Sequence, residues 1–171
     1  ERMDGMPRSG QTGPMLIRTE TELMCTADAA WEAVHSPAVA SELYAPVLRM
    51  RAEGGFPVRF STGDRRIVQL LAFDRVTLGT QLIHIEDHLP GQSAPGARVM
   101  RDRGRPLTGP LARLARCQHQ MTILPSPTHA DRAIWRDELS IAGASALWFG
   151  PVLTVMWRVR QWKIRRLARA W

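Results

Sequence analysis

The sequence predicts an α+β fold in which a curved antiparallel sheet wraps around one long C-terminal helix. Three observations predict it. Apolar and polar residues alternate in a series of short segments between Met15 and Ile141, and period two marks half-buried strands. Helical spacing interrupts the series once, between Thr26 and Tyr44, as two short helices. It returns from Pro151 to Ala170, a stretch that would be about 30 Å long, the width of a small domain. Helices segregated from a run of strands give a layered architecture. A sheet of about six to seven strands must curl, and a sheet curled around a helix encloses a cavity unless side chains fill it.

Composition narrows the class. The chain has 171 residues, 44% of them apolar and 23% charged, the balance of a globular domain with a sizeable core. Residues 1–14 are polar and rich in Gly and Pro, and are expected to be a disordered arm. They contain no apolar run and so read as neither signal peptide nor membrane span. Residues 15–171 are expected to form a single domain. Net charge is +7, carried almost wholly by arginine, since Lys163 is the only lysine. The basic residues are spread along the chain rather than gathered in a patch, which argues against a nucleic-acid partner. Cys25 and Cys117 are far apart and form no CxxC pair, so neither a disulfide framework nor a metal site is expected. Two reduced thiols fit a cytoplasmic protein.

Met15 to Met24 reads as a strand, with Ile17, Thr19, Thr21 and Leu23 on one side and Arg18, Glu20 and Glu22 on the other. Thr26 caps a helix over 27–34, with Asp28 near its positive end. His35-Ser36-Pro37 breaks it, and a second helix over about 37–44 carries Val39, Leu43 and Tyr44. Strands are expected at 47–52, 58–61, 66–73, about 80–88 and 97–103, separated by Gly54-Gly55, Thr62-Gly63-Asp64 and the Pro- and Gly-rich stretch 90–96. After a loop at 104–110, Leu111 to Ile123 begins with helical spacing and ends as a strand. Pro125-Ser126-Pro127 turns the chain into a last strand over 132–141.

In the final helix Pro151 suits the first helical position, and 144–149 reads as a separate turn or entry loop. Val152, Val155, Met156, Val159 and Trp162 form the expected packing stripe. The cationic cluster at Arg158, Arg160, Lys163, Arg165, Arg166 and Arg169 is expected to face water. Its other reading, with Trp157, Trp162 and Trp171 nearby, is a membrane-surface helix.

This order of elements resembles the SRPBCC or START-like superfamily, whose helix-grip fold is shared by pollen allergens, lipid-transfer domains and polyketide cyclase/dehydrase-like proteins. The capped helix Thr26-Ala27-Asp28-Ala29-Ala30-Trp31-Glu32-Ala33-Val34 carries part of the likeness. Cys117-Gln118-His119-Gln120-Met121, with its central His, carries another part. Arg136-Asp137-Glu138-Leu139 and the Gly-Pro entry to the Arg-rich helix complete it. The resemblance covers roughly 15–170. It implies a small hydrophobic or aromatic ligand of the lipid, polyketide, isoprenoid or hormone-like kind. It assigns no shared catalytic signature.

Candidate site residues follow from strand period. Cys117, His119 and Met121 share the more apolar face of their strand, and Trp135, Asp137 and Leu139 that of theirs. If the two strands pair, His119 and Asp137 meet on the concave face. A carboxylate beside an imidazole sets its tautomer and could serve acid–base catalysis or orient a ligand. The plain alternative is a mutually satisfied polar pair that anchors the sheet. Tyr44, Cys117, Met121, Trp135, Phe149, Leu153, Met156 and Trp157 are candidates to line the cavity. His84, Glu86 and His88 share one strand face with a spacing that zinc could accept. Ile83, Ile85 and Leu89 lie opposite, so the polar set reads as solvated exterior. No phosphate loop, Rossmann glycines or nucleophile elbow is present, and no cofactor is expected. The alternatives to a ligand carrier are a cyclase or dehydratase using His119 and Asp137, and a protein that docks on a membrane or partner through its last helix. Either a monomer or a homodimer is compatible with the sequence.

Overall fold

The computed structural model describes residues 13–87 and 96–171. The expected N-terminal arm therefore lies almost wholly outside the described residues, as do His88 and most of the 90–96 loop. Strand β1 (Met15–Leu23) leads into helices α1 (Ala27–Val34) and α2 (Pro37–Tyr44). Thr26 caps α1 by accepting from the Ala29 amide at 3.2 Å, and Ser36 caps α2 in the same way from Val39. The strands β2 (Leu48–Ala52), β3 (Arg65–Ala72), β4 (Val76–Asp87), β5 (Arg98–Asp102), β6 (Arg105–Pro106), β7 (Arg116–Pro125) and β8 (Ala133–Ala142) follow, and helix α3 (Ala146–Leu167) closes the chain.

The strands form one antiparallel sheet in the order β1-β8-β7-β5-β4-β3-β2, with the short β6 paired to β4. The first strand thus pairs with the last, Met15 opposite Ile141 and Leu23 opposite Ala133. Along β8 burial alternates at every residue, Ala133, Trp135, Asp137, Leu139 and Ile141 pointing inward. α3 packs across β1 so closely that a Cβ on Gly150 would meet the Met15 sulfur at 2.5 Å.

Four expectations change, besides the short β6 that forms inside the expected 104–110 loop. Residues 58–61 form no strand, and Val58 is almost fully exposed; the chain there is held by the Phe60 amide on the His35 carbonyl. β4 starts earlier than expected, at Val76, through Gly79. The last helix also starts earlier, so Pro151 lies inside it. Proline there forgoes one backbone bond, but the first turn is already closed by the Ser145 carbonyl, which accepts from Trp148 and Phe149.

The fourth change matters most. The packing face of α3 is not the valine stripe. Val152, Val155, Val159 and Trp162 are exposed, whereas Ala146, Gly150, Trp157, Arg160, Ile164 and, just beyond the helix, Ala168 are buried. Arg160, expected in water with its cationic neighbours, is 3% exposed. Trp157 and Ile164 pack there among small residues and one arginine, which makes the packing face less apolar in sequence than the exposed one.

Candidate functional site

A cavity of about 350 Å³ lies between the concave face of the sheet, α2 and α3. Its size is at the small end of the ligand-pocket range. Aliphatic side chains make most of the wall, with Val34 and Leu43 from the short helices and Leu70, Ile83, Ile85 and Met100 from the middle strands. All eight residues named from the sequence as cavity candidates lie on this wall: Tyr44, Cys117, Met121, Trp135, Phe149, Leu153, Met156 and Trp157. Strand period accounts for the sheet residues; Tyr44 and the α3 residues follow from the cavity that the resemblance implies, not from helical spacing, whose stripe faces outward. Val47 and Val152, both substantially exposed, are also on the wall, so the cavity reaches the surface between the α2–β2 connection and α3.

The polar end is built from four elements. On β7 and β8, Met121 lies opposite Asp137, so His119 reaches the carboxylate on the diagonal. His119 Nε2 hydrogen-bonds Asp137 Oδ1. Arg160, from α3, donates from Nε to Asp137 Oδ2 at 2.5 Å and from Nη2 to the Met121 sulfur at 3.5 Å. Its guanidinium sits 4.9 Å from the centre of the Tyr44 ring of α2. Trp157 stands edge-on to the His119 ring, with centroids 5.1 Å apart. His119 and Arg160 line the cavity; Asp137 sits behind them, 1% exposed.

Burial alone would raise the Asp137 carboxyl, but the Arg160 and His119 charges and hydrogen bonds outweigh it and hold the group well below the usual carboxylate range. Asp137 is therefore ionised at neutral pH. Burial pushes the Tyr44 phenol up to about 12 despite the nearby Arg160 cation. Burial, helped by the charge of Asp102, pushes the Cys117 thiol up to about 11. Both stay protonated at neutral pH. Burial also raises Asp102, against the pull of the His84 and Gly104 amides that its Oδ1 accepts at 2.9 and 2.8 Å.

The sequence reading brought His119 and Asp137 together but missed Arg160, their third member. The available signal was its spacing: Leu153, Trp157, Arg160 and Ile164 recur at three and four on one helix face. His84 and Glu86 point away from the cavity that Ile83 and Ile85 line, and Glu86 pairs with Arg103 at 3.2 Å. His88 lies outside the described residues. Another buried imidazole, His35, bridges the Trp31 carbonyl at 2.9 Å and the Asp87 carboxylate at 3.0 Å. It ties α1 to β4 and is no part of the cavity wall.

The same arrangement of sheet and last helix recurs among solved structures. A norcoclaurine synthase of Thalictrum flavum, solved as a point mutant with a transition-state analogue, is 13% identical, with a TM-score of 0.61 over 95% of this chain and 98% of that one. A hypothetical protein of Helicobacter pylori is 11% identical, with a TM-score of 0.64 over 98% of both chains. The fold is the helix-grip fold. DynU16, a putative protein of the dynemicin biosynthetic locus, shares it at 16% identity and a TM-score of 0.54, and this chain spans about half of its length, 47%. No family model matches the sequence, and no curated protein matches it. At these identities the likeness extends to the helix-grip architecture alone.

Proposed function

We propose that this helix-grip protein binds one small, mainly apolar molecule in the cavity between its sheet and α3. The observation that carries the reading is the cavity itself: about 350 Å³, walled by aliphatic and aromatic side chains and open between Val47 and Val152. Such a space offers a ligand tens of dispersion contacts and removes its apolar surface from water. Lipids, polyketides and isoprenoids are the ligand classes that the fold resemblance supports. The free cysteines fit a cytoplasmic setting. Titration with the apolar dye N-phenyl-1-naphthylamine tests the reading. One-to-one binding, competed by the natural ligand class, is expected; a flat titration would remove the carrier function.

Norcoclaurine synthase gives weight to a catalytic variant of the same reading, a cyclase or dehydratase. Here His119 is the group on the cavity wall, and Asp137, held ionised, orients it and cannot donate a proton. Turnover that survives His119→Ala would end that variant.

A second reading rests on the outer face of α3. Trp148, Val152, Val155, Val159 and Trp162 form an exposed stripe with alternating spacings of four and three. Arg158, Arg165 and Arg169 run along its flank and Arg166 ends it, and α3 through Trp171 holds no Asp or Glu. Among the described residues none of these four arginines is paired with a carboxylate. An apolar stripe with an uncompensated cationic border suits an anionic lipid surface. Two copies meeting on it would bring arginine against arginine. The stripe borders the cavity mouth at Val152, so docking would open the cavity toward lipid. Sedimentation with vesicles containing phosphatidylserine is expected at low salt. Its absence, or a concentration-dependent dimer through this face instead, would end the reading.

A further inference from the structure

Asp102 is the one carboxylate among the described residues of the cavity wall, and it stands beside His119. The two are directly opposite on β5 and β7, which puts their Cβ atoms about 5 Å apart on the concave face. Across β4, Asp102 stands opposite Ile85, another wall residue. Its Oδ1 is fixed, because it accepts the His84 and Gly104 amides at 2.9 and 2.8 Å. Its Oδ2 has no partner in the chain. His119 gives Nε2 to Asp137, and its Nδ1 has no partner either. The imidazole and the Asp102 carboxyl form no ion pair with each other. Nor are Oδ2 and Nδ1 sealed in: among the described residues, the unpartnered side-chain nitrogens and oxygens without accessible surface belong to Arg66, Arg132, Trp135, Trp157 and Arg160. The His119 side chain keeps 13% of its surface. Both residues line this cavity and not the cleft walled by Gly104, Pro106 and Gln118.

Five titratable side chains meet this cavity, with Asp137 behind them. Arg160 and Asp137 cancel each other's charge. Tyr44 and Cys117 stay protonated and neutral. The balance lies with His119 and Asp102. One proton between them leaves the wall uncharged, the cheaper state for a buried site. That proton has two places. With His119 cationic, Nδ1–H is a donor and Oδ2 an acceptor. With Asp102 protonated, Oδ2–H is the donor and Nδ1 the acceptor. Either way the gap is flanked by one donor and one acceptor that do not bond each other. A group that fits must accept from one and donate to the other, and a hydroxyl does both. A carbonyl or ether only accepts, an ammonium only donates, and a carboxylate or ammonium adds a buried charge.

We propose that the cavity selects an apolar molecule bearing a hydroxyl, an alcohol or a phenol, seated between Asp102 Oδ2 and His119 Nδ1. This rests on the ligand-binding reading above and gives that ligand a chemical class. The apolar body lies against Leu70, Ile83, Ile85 and Met100, and the hydroxyl fixes which end of the molecule faces β5 and β7. Asp102 is then a binding residue, held by two backbone amides in the place where its free oxygen is useful.

The test compares 2-naphthol, 2-methoxynaphthalene and 2-naphthoate, one apolar body with three polar groups, by calorimetric titration at neutral pH. A cavity without a polar anchor prefers the ether, because burying an unpartnered hydroxyl is costly. The wild-type chain should instead bind naphthol at least about tenfold more tightly than the ether, the scale of one buried hydrogen bond, and more tightly than naphthoate. This comparison needs no variant. Asp102→Asn/His119→Phe keeps an oxygen for the two backbone amides and leaves a donor that naphthol and the ether use equally. There the naphthol-to-ether ratio should fall about tenfold. An ether that binds the wild type as tightly as naphthol, as it would if a water molecule held the gap, would overturn the hydroxyl proposal while the cavity reading stands. So would a naphthoate that outbinds naphthol, or an unchanged ratio in a folded double variant. Failure of all three to bind the wild-type chain would overturn both.

Discussion

Arg160 reaches from the middle of α3 to Asp137 on β8, Nε to Oδ2 at 2.5 Å, with both residues almost fully buried. Removing one member of such a pair strands the other's charge in the interior. Arg160→Met should destabilise the protein by about 3–5 kcal/mol in urea unfolding. Arg160→Met/Asp137→Leu should recover part of that loss, because no buried charge is left. A double variant that loses the sum of both single effects would show that the pair is not the reason.

Stability should follow pH on both sides of a plateau. The folded chain holds Asp137 below its ordinary value, so the stabilisation is complete above the unfolded carboxylate value of about 3.9 and is lost as pH falls toward the folded one. Cys117 and Tyr44 act oppositely. Their folded values of about 11 and about 12 are raised, so their contribution is complete below the unfolded values of about 8.5 and 10 and is lost as pH rises toward the folded ones. Urea midpoints across pH should therefore fall off below about 4 and above about 8.5. In Cys25→Ala/Cys117→Ala, which removes both thiols that burial raises, the alkaline fall should begin nearer pH 10, where Tyr44 takes over. The same onset in both proteins would remove the thiols from the account.

The two faces of α3 should answer differently to substitution. Val155→Asp changes an exposed position and should alter stability by no more than about 0.5 kcal/mol, while weakening vesicle binding at least tenfold. Trp157→Ala, on the buried face, should cost about 3–5 kcal/mol. Equal stability losses would mean that the exposed stripe is packed after all.

Gly79 and Gly109 meet at the edge of the cavity beside Pro110 and Leu111. Both have positive φ, +125° and +79°, and a Cβ on Gly109 would lie 1.9 Å from the Leu78 carbonyl oxygen. Gly109→Ala should cost well over 1 kcal/mol, because both backbone geometry and space forbid the methyl. Gly54→Ala, at φ +73° with nothing nearby, should cost only the conformational strain of about 1 kcal/mol. Thermal unfolding of the two variants compares them directly.

Much of this was legible in the sequence where period and burial coincide. The alternation of β1 and β8 is complete, and with the two-residue period of the β7 sequence it put Cys117, His119, Met121, Trp135 and Asp137 on one concave face. The face of α3 was misread because hydrophobicity and burial part company there. Its valines and Trp162 lie outside, while Gly150, Ala146 and Arg160 pack inside, the small residues to admit close approach and the arginine to meet a buried carboxylate on another element. Arg160 shares a helix face with Leu153, Trp157 and Ile164, but its charge hid that spacing until Asp137 was seen to need a cation. Val58 misled in the same way, as a lone β-former in a segment held by its neighbours' backbone bonds.

The central claim is a cavity that takes one apolar molecule, and its most direct measurement is a dye titration of the wild-type chain beside Leu153→Trp, which fills the cavity from α3. N-phenyl-1-naphthylamine should bind the wild type one-to-one, and the filled variant, equally folded by circular dichroism, should bind at least about tenfold more weakly. Equal binding by both proteins would place the dye elsewhere and contradict the account.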